Sequence, residues 1–244
     1  MRKKIVIFVT AALFLTMAVF AQTNDEPEGL SFYKALQLYL KFWGGKFHDD
    51  YLDAVFKHIS ETKKEYAEKK QNAAQFKAFF NEQKKEFEEG ARAADLDKLY
   101  YILNMPARLL EYDETDGGVW IFFEGRGRHP FFNIMADNKL NWEGDYYDQS
   151  IPIIRLPLQL MPNGYFFKMD KATSETLLRI LGSSRDVFIR LFYKIDKNKP
   201  KYYQDWEKKY PDDAVLPLSI VGGYVYIPSQ EEPIGAISNI KEFR

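Results

Sequence analysis

HDDYLDAVFKHISETKKEYAEKKQNAAQFKAFFNEQKKEFEEGARAAD, His48 to Asp95, carries the pattern that decides the fold. Leu52, Ile59, Tyr66, Ala73, Phe80, Phe87 and Ala94 recur every seven residues, and all are apolar. The companion column, Val55, Thr62, Lys69, Phe76, Gln83 and Gly90, is half polar. Two apolar columns would form the seam of a coiled coil. One good column beside a mixed one predicts amphipathic helices laid on a domain. Lys69-Lys70-Gln71-Asn72 predicts a break into two helices. Glu65 with Lys69 and Glu88 with Arg92 stand at the four-residue spacing of solvated charge pairs, each contributing a few tenths of a kcal/mol.

Upstream, SFYKALQLYLKFW (Ser31 to Trp43) places Phe32, Leu36, Tyr39, Leu40 and Trp43 at helical spacing. Ser31 is a capping residue type, and Gly44-Gly45 ends the run. Before it, Arg2, Lys3 and Lys4 precede an uncharged apolar run, Ile5 to Phe20, that closes on Ala18-Val19-Phe20-Ala21 and a polar, proline-containing stretch. This is the layout of a secretory signal peptide cut after residue 21. The competing reading is a retained signal anchor. The run is short of the roughly 20 apolar residues of a membrane span and includes Thr10 and Thr16, so removal is the expectation.

Downstream of Leu99 the period changes from helical to two. RLLEYD and GVWIFF flank a turn at Glu114 to Gly118, with KLYYIL before them and FFNIM after. In IIRLPLQL, Ile154, Leu156, Leu158 and Leu160 share one face, and Pro157 marks an edge strand. GYFFKMD is followed by a helix around Lys171 to Leu181. In DVFIRLFYKI, Val187, Ile189, Leu191, Tyr193 and Ile195 form the core-facing set; PLSIVGGYVYIP is the last clear strand. Short turns between successive strands predict mainly antiparallel pairing. The expected class is α+β: N-terminal amphipathic helices packed with a largely antiparallel C-terminal sheet that carries one additional helix. The division is a signal peptide over 1–21, a helical region over 22–98 and a mainly β region over 99–244, the last two forming one unit.

The 244-residue chain holds 34 Lys+Arg against 35 Asp+Glu, and loss of the three basic signal residues would leave 31 against 35. No basic block could neutralise a run of phosphates, which argues against nucleic acid as a partner. There is no cysteine, so an exported chain of this kind relies on its core rather than on disulfides. With no Asn-X-Ser/Thr acceptor, the expectation is a bacterial envelope protein, periplasmic in the simplest case, with no stable membrane span once the signal is removed. Aromatic residues make up 16% of the chain, and their first role is to fill the core.

Catalytic and metal signatures were sought by spacing. His48 and His58 lie ten apart, about 15 Å of helical rise, and cannot share an ion within one helix. No H-E-x-x-H, G-x-S-x-G or phosphate-loop spacing occurs, so no metal, cofactor or catalytic residue is nominated. YDETDGG clusters Asp113, Glu114 and Asp116, but fails the calcium-loop spacing and reads as a hairpin turn. The ligand-binding candidates are two loops. FEGRGRHPFFN offers Arg126, Arg128 and His129 at a glycine-bearing tip, where arginine forks suit carboxylate or phosphate. NWEGDYYDQS offers Trp142, Tyr146 and Tyr147 as a stacking or contact surface. The expectation is a non-catalytic binding protein whose partner is a protein or an envelope component. The alternatives are an envelope hydrolase with a dispersed site and a helical module that oligomerises through the seven-residue column.

Overall fold

The computed structural model describes residues 27–122, 131–142, 152–157, 164–197, 215–228 and 233–237. The first helix, α1 (Phe32–Trp43), starts where Ser31 accepts a hydrogen bond from the Lys34 N–H, and ends at Gly44, whose φ of 74° suits glycine. A second tie comes from far along the chain: the Phe32 N–H donates to Asn138 Oδ1. The stretch read for its seven-residue column forms three helices rather than two: α2 (Asp49–His58), α3 (Lys63–Lys69) and α4 (Ala73–Ala93). The additional break falls at 59–62, where the buried Thr62 hydroxyl donates to the Phe56 carbonyl and satisfies the end of α2. The expected break is marked by Asn72, which caps α4 by accepting from the Ala74 and Gln75 N–H groups.

The column itself points inward. Leu52, Ile59, Tyr66, Phe87 and Ala94 are all buried within the chain, and Phe80 is packed partly against the core; only Ala73 is exposed. Gly90, the weakest member of the companion column, has a positive role. A Cβ there would overlap the carboxamide of buried Gln37, so glycine is what lets α4 lie close on α1. The apolar stripe on α1 is wider than its spacing implied. Leu38, Ala35 and Gln37 are buried alongside Phe32 and Leu36, while Tyr39, Leu40 and Trp43 are half-buried. The helix is covered on two sides, by α4 and by the segments that carry Asn138 and Val215; the Trp43 indole N–H donates to the Val215 carbonyl at 3.2 Å. Glu65–Lys69 and Glu88–Arg92 form no ion pair; Lys85 and Glu89, also four residues apart, approach to 4.0 Å.

Among the described residues the strands form two sheets. KLYYIL and RLLEYD join into one 14-residue strand, β2 (Tyr100–Asp113), with a register shift between Ile102 and Met105. Short β1 (Glu28–Gly29) pairs with its start in parallel, and β3 (Gly118–Phe122) pairs with its end, leaving Pro106 where only one neighbour is paired. The β2–β3 turn is closed by Asp113, whose Oδ1 accepts from the Thr115 and Asp116 N–H groups. The second sheet is β4 (Phe131–Met135), β5 (Leu140–Trp142) and β6 (Ile153–Pro157), in the order β5-β4-β6, with proline-bearing β6 at an edge and Ile154 and Leu156 fully buried. The main sheet continues with β7 (Gly164–Lys168), β8 (Asp186–Ile195), β9 (Leu218–Tyr226) and β10 (Gly235–Ile237), in the order β10-β9-β8-β2-β3-β7. Among the described residues every strand pairing except β1 with β2 is antiparallel, and one isolated parallel bridge joins Arg155 to Val215. Between β7 and β8 runs the additional helix, α5 (Lys171–Leu181), with Asp170 at its N-cap and Gly182 after its last turn.

The main sheet curls until its edge strands meet: a Cβ on Gly235 of β10 would overlap the ring of Phe167 on β7. Its inner face holds Tyr100, Leu109, Val119, Ile121, Tyr165, Val187, Ile189, Leu191 and Tyr193, each at most 1% exposed. These side chains join Phe32, Leu36, Val55 and Phe56 from the helices in one apolar cluster. The class is therefore α+β. Among the described residues no helix is long and apolar enough to cross a membrane.

Candidate functional site

The two loops singled out by sequence contribute little to the described surface. Arg126, Arg128, His129, Tyr146 and Tyr147 lie outside the described residues, and of Trp142 only the backbone, at the end of β5, is placed. Among the described residues no group of His, Asp or Glu side chains could hold a metal ion. The Asp113 carboxyl is held below the usual carboxylate range by the backbone N–H groups of Asp116 and Thr115, with a further bond from the Trp120 indole. Glu114 pairs with Lys171. The carboxylates of YDETDGG thus serve the turn and a tie to α5.

A different cluster lies on the outer face of the main sheet. Register places Tyr101 of β2 opposite Phe192 of β8, Arg190 of β8 opposite Tyr224 of β9, and Phe188 opposite Tyr226. Side chains of an antiparallel pair at directly opposed positions share a face, so these six project on the side away from the inner core. Phe192 stands edge-on to Tyr224 at 5.2 Å and to Tyr101 at 6.4 Å. The Arg190 guanidinium carbon sits 5.2 Å from the centre of the Tyr101 ring and 5.0 Å from that of Tyr226. Two electron-rich ring faces therefore flank one cation.

Arg190 has no carboxylate partner among the described residues, and its Nε is buried without a hydrogen-bond partner. A buried, unanswered guanidinium N–H is costly unless something supplies an acceptor. The Tyr224 and Tyr226 phenols stay protonated. Burial raises Tyr226 more than the nearby Arg190 cation lowers it, and burial raises Tyr224 as well. The cluster thus presents one permanent positive charge, neutral hydroxyls and ring surface. Gly223 lets the backbone fit beneath it: a Cβ there would come within 2.9 Å of the Arg190 carbonyl oxygen. Val221, 40% exposed at the register shift between Phe192 and Tyr193, extends the apolar area.

Sequence reasoning placed Phe188, Arg190 and Phe192 on the face opposite the core. It did not assemble the site, because pairing with β2 and β9 is what brings the tyrosines alongside. The available signal was YVY in PLSIVGGYVYIP: two tyrosines two apart in a strand must share a face.

The helical layer holds a concave feature. A cleft of about 250 Å³ opens between the end of α1, the Gly44-Gly45 loop and the last turns of α4, lined by Leu40, Phe47, Leu52, Phe87 and Ala91 with charged residues at its rim. Phe47 stacks on Tyr51 at 4.9 Å and on Tyr39 at 5.8 Å, and contacts Phe87 at 6.1 Å, so the wall of the cleft is a continuous ring contact.

No family model, no curated protein and no solved structure matches this chain.

Proposed function

We propose that this chain is exported through its N-terminal segment and works in the bacterial envelope as a binding protein, taking a carboxylated saccharide on the outer face of its main sheet. The observation that carries this reading is Arg190, held between Tyr101 and Tyr226 with no carboxylate partner among the described residues. A guanidinium fork offers parallel N–H donors that match a carboxylate. Tyrosine faces on either side supply flat apolar surface for the ring of a sugar acid, and their hydroxyls supply hydrogen bonds. The chemistry of binding is charge-assisted hydrogen bonding at the centre and ring contact around it.

The test is a calorimetric titration of the mature chain, residues 22–244, with trigalacturonate and with its neutral methyl ester. The reading requires the acid to bind and the ester to bind far more weakly. Arg190→Met, which keeps the apolar stem, should weaken the acid by about tenfold to a hundredfold, as expected for a charged hydrogen bond. Equal binding of acid and ester, or no binding of either, would remove the assignment. Export is tested separately, by mass spectrometry of the chain recovered from a periplasmic fraction: cleavage after Ala21 is the expected result.

A further inference from the structure

The cleft between α1 and α4 is the second place where the molecule combines apolar lining with uncommitted charge, and it is independent of the sheet face. Its floor is Leu52, Phe87 and Ala91, all buried, and Leu40 and Phe47 complete the walls. Its rim carries three cations, Lys41, Lys46 and Arg92, against one carboxylate, Glu88. The helix ends nearby would ordinarily favour a cation, because both α1 and α4 present their C-terminal carbonyls here. That demand is met within the chain. Lys41 Nζ donates to the Arg92 carbonyl at 2.6 Å, and the Leu40 carbonyl accepts from the Gly44 N–H. Lys46 and Arg92 remain exposed, without an ion pair among the described residues, and Arg92 does not take up Glu88 one helical turn before it. Lys84, the next cation along α4, is committed to Asp49 at 2.6 Å.

The loop at the mouth keeps it open. Gly44 and Gly45 take φ values of 74° and 93°, and neither would meet any atom within 4 Å if it carried a Cβ. The pair therefore serves the chain reversal rather than a close contact, and it leaves no side chain across the opening. At about 250 Å³ the cleft is slightly smaller than the roughly 300–1,000 Å³ of common ligand pockets, so its guest is small.

The geometry points to a single-chain amphiphile with an anionic head, a short fatty-acid anion, seated with its alkyl chain against Leu52, Phe87 and Ala91 and its carboxylate between Lys46 and Arg92. Apolar burial supplies the affinity, and the two cations select the sign of the head group. A neutral head of the same chain length gains only the first term, and a cationic head is repelled by the same two cations.

Three eight-carbon probes separate these terms: sodium octanoate, 1-octanol and octyltrimethylammonium, each titrated into the mature chain below its micellar concentration and followed by amide NMR shifts. Octanoate should shift Phe47, Phe87 and Ala91 and bind about tenfold more tightly than octanol, the size expected for two solvent-exposed ion pairs. The ammonium probe should leave these signals unmoved. Lys46→Glu combined with Arg92→Glu changes only exposed side chains, and should reverse the order of octanoate and the ammonium probe. Equal binding of all three, shifts confined to other regions, or no response to octanoate would each overturn the proposal. Because the sheet-face site is read with trigalacturonate and Arg190→Met, failure of one site leaves the other standing.

Discussion

The helical layer and the outer face of the main sheet both concentrate aromatic rings, but they use them differently. In the helices, Phe87 meets Tyr33 at 5.4 Å and Phe47 at 6.1 Å, and is 1% exposed itself. Tyr66, Phe76, Phe79 and Phe80 form a second ring contact that ties α3 to α4. Even the polar end of Tyr66 is used, donating to Asp53 at 2.9 Å and accepting from Lys70 at 2.8 Å. On the sheet face, Tyr101, Tyr224 and Tyr226 remain half-buried around a guanidinium with no counter-ion among the described residues. The helical rings hold the fold by packing on one another. The rings proposed to recognise a ligand stay partly exposed beside a cation.

The sharpest way to break this distinction is to remove one ring from each region. Phe87→Ala should cost about 3–5 kcal/mol in urea denaturation, the range for deleting a fully buried aromatic. Tyr226→Ala should cost about 1–2 kcal/mol, since less of its area is buried. A sheet-face loss as large as the helical one would make those tyrosines structural.

Close backbone approaches give the next largest effects. Gly118→Ala would place a Cβ 2.5 Å from the Phe167 carbonyl oxygen, and strand β7 would have to move; about 2–3 kcal/mol is expected, read from the same denaturation midpoint. Gly90→Ala meets only the end of the Gln37 side chain, and it gains helix propensity. Its net cost should be about 1 kcal/mol, smaller than at Gly118. The reverse order would mean that helix contact, not strand pairing, limits the fold.

Most of the fold was legible because its signals are local. Ser31, Asn72 and Asp170 are capping residues that do cap. Val187, Ile189, Leu191, Tyr193 and Ile195 alternate into the core as their spacing requires. What sequence could not show depends on partners distant in the chain. Thr62 looked like a polar flaw in a column and is a buried helix end. Gly90 looked like a gap and is the contact point for Gln37. Phe192, placed on the outer face, is only 5% exposed because Tyr101 and Tyr224 lie beside it. The Arg190 cluster is read from three strands, one of them separated from β8 by more than seventy residues, and no single stretch contains it.

The smallest expected effect concerns pH. Asp113 and Asp170 both have carboxyls held below their ordinary value of 3.8, Asp113 by backbone N–H groups and Asp170 by the Thr173 side chain and N–H. A depressed carboxyl stabilises the folded state fully above its unfolded value, and that contribution is lost as pH falls through the lower folded value. Thermal melts should therefore show a decline setting in near pH 4 and deepening below it. Asp170→Asn, which can still cap α5, should flatten part of that decline. An unchanged pH profile in the variant would show that the cap charge adds nothing.

The most direct test of the central distinction is a map of amide NMR shifts on adding trigalacturonate to residues 22–244. Shifts centred on Tyr101, Arg190, Tyr224 and Tyr226, with Tyr33, Tyr66 and Phe87 unmoved, are the predicted result. Shifts centred on the helices, or none anywhere, would contradict the assignment of the sheet face as the binding surface.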